Sequence, residues 1–164
     1  MTKYMKALIF VFLASFGFAS VLSAQTNPDI PKFTLTLTAY PREVTLGSNI
    51  EIWIKMTNIS EDTLTLVFGD WNGVATDYQY EVRDEQGAMA AKVVPHHLVG
   101  SNRRGILKPG DSIGSGTLIN AVYQFDHPGK YTIQVSRKEP GMPLVQSNII
   151  TVTVLPAPPP PAQQ

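Results

Sequence analysis

The chain has 164 residues, of which 13 are basic and 13 acidic, and its formal net charge at pH 7 is zero. This balance argues against a nucleic-acid or anionic-membrane partner, because both attract proteins with an excess of Lys and Arg. The chain contains no cysteine, which excludes a disulfide framework and thiolate chemistry.

The first 24 residues have the layout of a secretory signal. Lys3 and Lys6 precede an apolar run at residues 7–18, and the small residues Ser23 and Ala24 follow it. The run has about a dozen residues, fewer than the roughly 20 that a bilayer-spanning helix needs. The pattern predicts cleavage near Ala24, and therefore a secreted or periplasmic protein with no membrane span in its mature form.

Downstream of a lead-in at residues 25–32, the hydrophobic period is two, as half-buried strands require. Ile50, Ile52 and Ile54, for example, alternate with Glu51 and Trp53. The predicted strands cover residues 33–38, 49–56, 64–68, 78–83, 91–94, 112–119, 130–136 and 147–155. Residues 33–155 are therefore expected to form an all-β, antiparallel sandwich of about seven to nine strands. Residues 156–164 are rich in Pro and predict a disordered tail.

Two Pro-Gly turns, at residues 109–110 and 128–129, indicate the type of sandwich. Tyr131 follows the second turn at once and begins an alternating strand. A Tyr in this place is typical of the tyrosine corner of immunoglobulin-like domains. The long connection at residues 119–130 contains apolar side chains, which suit an arch between two sheets better than a tight hairpin.

Five short motifs occur in order between residues 34 and 154. They are Leu46-Gly47-Ser48, Met56-Thr57-Asn58-Ile59-Ser60, Tyr80-Glu81-Val82-Arg83-Asp84-Glu85-Gln86-Gly87, Leu107-Lys108-Pro109-Gly110-Asp111-Ser112 and Pro128-Gly129-Lys130-Tyr131. This order resembles small bacterial immunoglobulin-like domains, and among them the intracellular-proteinase-inhibitor type and the β-sandwich that precedes the catalytic domain of deuterolysin-type metalloproteases. The resemblance implies an immunoglobulin-like fold, with protease inhibition as one role in the family. The predicted export signal departs from the inhibitor type, because an exported protein does not meet an intracellular target.

The sequence offers no nucleophile with an activating base and no familiar spacing of metal ligands. We therefore expect a protein that is not an enzyme and has no cofactor or metal. The histidines are His96, His97 and His127. Adjacent residues in an extended segment point to opposite sides, so only one of His96 and His97 could join a common metal centre. The carboxylates at residues 70–85 leave a calcium-binding loop open as an alternative.

Two segments without clear alternation are predicted to be surface loops, where binding residues concentrate. Residues 95–105 contain His96, His97, Arg103 and Arg104, and the arginine pair could bind carboxylates or form a solvated turn. Residues 69–77 contain Trp71, which could belong to an interface or cap one end of the core.

The predicted function is that of an exported, non-catalytic binding module, whose partner is another protein or a cell-envelope component. Contact could be made through loops or an edge strand, and the strands beginning at Phe33 and covering residues 147–155 are the candidate edges. The alternative is a secreted protease inhibitor that places residues 95–105 in a protease cleft. Trp53, on the polar face of its strand, either packs against its neighbours or belongs to an exposed binding face.

Overall fold

A computed structural model describes residues 30–71, 74–93 and 100–159. The predicted signal peptide and the end of the Pro-rich tail lie outside these ranges, and no helix within them is long and apolar enough to cross a membrane. The described residues form eleven strands and a short 3-10 helix, Ile119–Ala121. The strands are β1 (Phe33–Ala39), β2 (Glu43–Thr45), β3 (Glu51–Asn58), β4 (Leu64–Trp71), β5 (Val74–Ala75), β6 (Gln79–Arg83), β7 (Gly100–Leu107), β8 (Ser112–Leu118), β9 (Gly129–Arg137), β10 (Val145–Gln146) and β11 (Ile150–Leu155).

These strands are arranged in three hydrogen-bonded sheets. The first has the order β1-β3-β8, and the third has the order β5-β4-β7. The second has the order β10-β9-β11-β2, and β6 pairs with β9 as well. Among the described strands only β2 and β11 pair in parallel, while the other pairs are antiparallel. The all-β, antiparallel fold class predicted from the sequence is confirmed.

One hydrophobic core joins the inner faces of the sheets, and the period-two pattern explains how. In β3 the aliphatic row that includes Ile52 and Ile54 is fully buried, whereas Glu51, Trp53 and Lys55 on the other face are exposed. The strands β1, β9 and β11 alternate in the same way and contribute their buried residues to the same cluster. Burial of each such aliphatic side chain contributes about 1.5–3 kcal/mol to folding.

The predicted tyrosine corner is present at the start of β9. The Tyr131 hydroxyl donates a hydrogen bond to the His127 carbonyl oxygen, 3.0 Å away and four residues upstream. The Tyr131 ring also contacts the edge of Phe125, with ring centroids 4.8 Å apart. The apolar side chains of the connection at residues 119–130 therefore do fill the arch, as expected.

Two predictions about strands were wrong. Residues 91–94 were expected to form a strand, but Lys92 makes only an isolated bridge to Tyr123, and residue 94 lies outside the described ranges. Residues 100–105 were expected to belong to a loop, but they form most of β7. The hydrophobic period did not indicate this strand because nearly all of its residues are exposed on both faces.

Asn58 holds β7 in place at one end. Its Nδ2 atom donates to the carbonyl oxygens of Leu107, at 2.9 Å, and Asp62, at 2.8 Å. Its Oδ1 atom accepts hydrogen bonds from the backbone and the hydroxyl of Ser60. The buried amide thus connects the end of β3, the turn that leads into β4 and the end of β7.

Candidate functional site

The strand β7 contains the predicted binding residues Arg103 and Arg104 and lies at the edge of its sheet. It pairs along its whole length with β4, and no other described strand pairs with it. All of its residues except Gly105 and Leu107 are exposed. The arginine pair therefore lies on an extended edge strand and not in the loop that the sequence predicted.

The hydrogen bonds of β4 show which backbone groups of β7 point outward. Gly69 uses its carbonyl and its N–H on the β5 side, where they bind the Thr76 N–H and the Asp77 carboxylate. Backbone groups alternate between the two sides of a strand in an antiparallel ladder, so Phe68 and Leu66 face β7. Their partners are Arg103 and Gly105. The outward N–H and C=O groups of β7 therefore belong to Asn102, Arg104 and Ile106.

The two arginines lie on opposite faces of the sheet, as consecutive strand residues must. Arg103 is opposite the buried Phe68, and its guanidinium carbon lies 5.7 Å from the centre of that ring. Arg104 is opposite Val67 on the outer face, next to Ile106. The exposed fractions of Val67 and Ile106 are 48% and 69%, so the outer face combines apolar surface with one positive charge.

Gly105 leaves room for the ring of Phe68 on the inner face. A Cβ atom at this position would lie 2.7 Å from Cε2 of Phe68, closer than van der Waals contact allows. The ring of Phe68 thus covers the β7 backbone and fixes the inner face of the edge strand.

A buried arginine on β9 attaches β4, and with it the β7 edge, to the rest of the sandwich. Arg137 is 2% exposed, its Nη2 atom donates to the Val67 carbonyl oxygen at 2.8 Å, and its Nε atom donates to Glu139 at 2.6 Å. Its Nη1 atom lies 3.7 Å from Oδ2 of Asp77 and has no hydrogen-bond partner among the described residues. The guanidinium group also lies against the rings of Phe68 and Tyr78, 4.8 and 5.3 Å from their centres.

The cluster around Arg137 also affects the titration of Tyr78. Burial raises the pKa of the Tyr78 hydroxyl above its usual value, and the nearby positive charge of Arg137 opposes this shift. Arg137 was not among the site residues predicted from the sequence. The period-two pattern did indicate that Arg137 is buried, because it continues the buried series of Tyr131, Ile133 and Val135 on β9.

The other candidate residues have different positions relative to this strand. Trp71 was predicted in a loop, but it is the last residue of β4, opposite Gly100 of β7. His96 and His97 lie outside the described residues. His127 is next to Tyr131 in the corner, where the two rings stack.

The carboxylates considered for calcium binding take part in local structural contacts. Asp84 accepts hydrogen bonds from the backbone of Gln86 and Ala88 within its own turn. Glu85 accepts one from the backbone of Lys130, and Glu81 pairs with Arg83. Across residues 30–71, 74–93 and 100–159, no three acidic or histidine side chains are grouped so that they could hold a metal ion.

The two strands that the sequence suggested as open edges are both covered to some degree. The side-chain amide of Asn148 bonds to both the N–H and the C=O of Leu37, on the outer side of β1. The strand β11 lies between β9 and β2 and is not an edge, so that prediction was wrong. Of the edges proposed or found, β7 presents the longest run of exposed residues.

Trp53 packs against its neighbouring strand, which is the first of the two interpretations offered for it. Its indole ring packs across the neighbouring strand β8, where a Cβ atom on Gly114 or Gly116 would come within 3.0 Å of the ring. The side chain nevertheless remains 51% exposed. The glycines of β8 therefore serve to accommodate this ring.

Comparison with known proteins adds little to this geometry. No protein-family model matches the chain, and no curated protein sequence matches it. A β-glucosidase from Erythrobacter marinus matches 75% of this chain with a TM-score of 0.43 and 12% identity, and one from Listeria innocua matches 74% with a TM-score of 0.41 and 16% identity. The chain spans 15% and 16% of these enzymes. AvmM, described as catalysing macrocyclization in alchivemycin A biosynthesis, matches 82% of this chain over 94% of its own, with a TM-score of 0.34 and 10% identity. Similarity at this level carries no information about what the chain binds.

Proposed function

We propose that this protein is an exported, non-catalytic binding module that adds an extended segment of another protein as a strand along the outer edge of β7. The observation that carries the proposal is the set of outward backbone groups of Asn102, Arg104 and Ile106 on a long, exposed strand. In strand addition, backbone hydrogen bonds supply affinity and the alternate side chains supply specificity.

The side chains of β7 define the sequence that would fit. Neither Arg103 nor Arg104 forms an ion pair with a described carboxylate, so each is available for a partner. Ile106 and Val67 offer apolar contact on the outer face. A partner strand with an acidic residue opposite Arg104 and an apolar residue opposite Ile106 satisfies both features, because opposite charges and apolar pairs stabilise neighbouring strands. Two copies of β7 paired with one another would instead bring arginines together, which disfavours self-association.

Protease inhibition is the second candidate function. One observation favours it: residues 100–105 are extended and exposed, and an extended segment is what strand-type pairing with another protein requires. In this version the partner is a secreted protease, and the same edge of β7 would make the contact.

The test alters the outward-facing backbone of β7 without disturbing the pairing of β7 with β4. Arg104→Pro removes an outward N–H and leaves the hydrogen bonds to β4 in place, and edge strands tolerate Pro in this position. Arg104→Ala is the matched control, since it removes the charge and keeps the N–H. Peptides are selected by display against the purified protein, and their affinity for the three forms is measured by fluorescence anisotropy.

We expect the selected peptides to protect the amides of Asn102, Arg104 and Ile106 from hydrogen exchange, and to lose at least about tenfold in affinity on Arg104→Pro. The loss on Arg104→Ala should be smaller. Equal binding to the Pro variant would refute the proposal. Titration of secreted serine, cysteine and metalloproteases tests the inhibitor version, for which stoichiometric inhibition must also disappear in Arg104→Pro.

A further inference from the structure

A cavity of about 600 Å³ lies away from the β7 edge, between the β5–β6 segment and the 3-10 helix. Its walls include Val74, Ala75, Tyr80, Ala121, Val122 and Tyr123, and Lys92 lies at its exposed rim. Cavities of roughly 300–1,000 Å³ are the size that small-molecule ligands occupy.

The hydroxyl groups of Tyr80 and Tyr123 in the wall are already hydrogen-bonded. The Tyr80 hydroxyl donates to the Ala75 carbonyl oxygen at 2.6 Å and lies 3.2 Å from Oγ1 of Thr117. The Thr117 hydroxyl oxygen accepts a hydrogen bond from the Ala75 N–H, and the Tyr123 hydroxyl donates to the Tyr80 carbonyl oxygen. These bonds fix both rings. The wall as a whole is more apolar than polar, which suits a ligand with an apolar body.

Lys92 supplies the charge at the rim. Its backbone forms a bridge to Tyr123, and the flanking bonds from Val93 to Val122 and from Gln124 to Ala91 hold this crossing on both sides. Its Nζ atom lies 5.9 Å from the centre of the Tyr123 ring. None of the described carboxylates comes within ion-pair distance of it.

We infer that this cavity binds an apolar monocarboxylate, with the hydrocarbon body against Val74, Val122 and Tyr123 and the carboxylate paired with Lys92. Burial of apolar surface supplies the main driving force, and a charge-assisted hydrogen bond from the ammonium group fixes the orientation of the acid. This inference is independent of the proposed role of β7, because the two sites share no residue.

The experiment compares decanoate, decan-1-ol and 4-phenylbutyrate by titration calorimetry and by methyl chemical shifts of Val74, Ala75, Ala121 and Val122. We expect saturable 1:1 binding of decanoate with shifts at these methyl groups. The alcohol, which has the same chain and no charge, should bind about tenfold more weakly, the equivalent of 1.4 kcal/mol. Comparison with 4-phenylbutyrate tells whether alkyl or aryl acids fit better.

Two substitutions test the two halves of the site. Lys92→Met should lower the affinity for decanoate about tenfold and leave the affinity for the alcohol unchanged. Lys108→Met, on an exposed turn that does not line the cavity, should change neither affinity. Ala121→Phe places a ring at an exposed position in the cavity wall and should abolish binding of both ligands. Thermal unfolding of each variant checks that it is folded. Shifts absent at millimolar decanoate, or decanoate affinity unchanged in Lys92→Met or in Ala121→Phe, would overturn the inference.

Discussion

Replacing Asn58 by Ala tests how β7 is held in the sandwich. The side chain is 1% exposed and takes part in four hydrogen bonds, two as donor and two as acceptor. The substitution removes a buried hydrogen bond to the Leu107 carbonyl oxygen, and such a bond contributes about 0.5–1.5 kcal/mol. The bonds to Asp62 and Ser60 are partly accessible to water, and their loss adds roughly 0.5–1.5 kcal/mol in total. We therefore expect the free energy of unfolding to fall by about 1–3 kcal/mol.

The assay is urea unfolding followed by intrinsic fluorescence, with hydrogen exchange of the native protein beside it. Asn102→Ala is the matched control, because Asn102 is an exposed Asn on β7 itself and its loss should change stability by less than about 0.5 kcal/mol. In Asn58→Ala the backbone amides of β7 should exchange faster than the overall loss of stability explains, because β7 loses the side-chain hydrogen bond at Leu107. If Asn58→Ala matched its control in both measurements, the assignment of Asn58 as the anchor of β7 would be refuted.

Two further predictions concern buried polar groups. Arg137→Met should lower the free energy of unfolding by about 3–5 kcal/mol, because it leaves Glu139 and the Val67 carbonyl without their buried partner. The control is Arg83→Met, which breaks the exposed pair with Glu81 and should lower the free energy of unfolding by no more than about 1 kcal/mol. Equal urea midpoints for the two variants would contradict the role of Arg137. Burial raises the pKa of Tyr80 above its ordinary value of 10.0. As the pH rises above 10.0, the unfolded chain therefore releases the Tyr80 proton before the folded protein does. The stability that this group contributes is fully present below pH 10.0 and is lost as the pH rises further. Urea midpoints measured between about pH 8 and pH 11 should therefore fall at the alkaline end, with less decline in Tyr80→Phe, whereas a flat profile for the parent protein would contradict this reasoning.

The sequence predicts the parts of this fold that bury one face and expose the other. The alternation of Ile50, Ile52 and Ile54 and the position of Tyr131 were enough to predict β3, the corner and the sandwich, because burial imposes a period of two on such strands. The sequence of the edge strand β7 has no such period of two. Its residues are exposed on both faces, and its pairing depends on β4, which comes about thirty residues earlier in the chain.

The candidate site was predicted only in part for the same reason. Arg103 and Arg104 are both exposed, but their separation onto two faces follows from β7 being a strand. The contacts of Arg137 with Val67 and Asp77 join segments about 60 to 70 residues apart. Composition and spacing along one sequence contain no direct measure of such contacts.

The parallel pairing of β2 and β11 gives the domain a defined response to force. Thr153 donates to the Arg42 carbonyl oxygen at 2.8 Å, and Leu46 donates to the Leu155 carbonyl oxygen at 2.9 Å. A load that pulls the Glu43 end of β2 away from the Leu155 end of β11 shears the hydrogen bonds between these parallel strands together, so they cannot open one after another. Along that direction the pairing of β2 with β11 therefore resists separation more strongly than an antiparallel hairpin, whose bonds open in sequence.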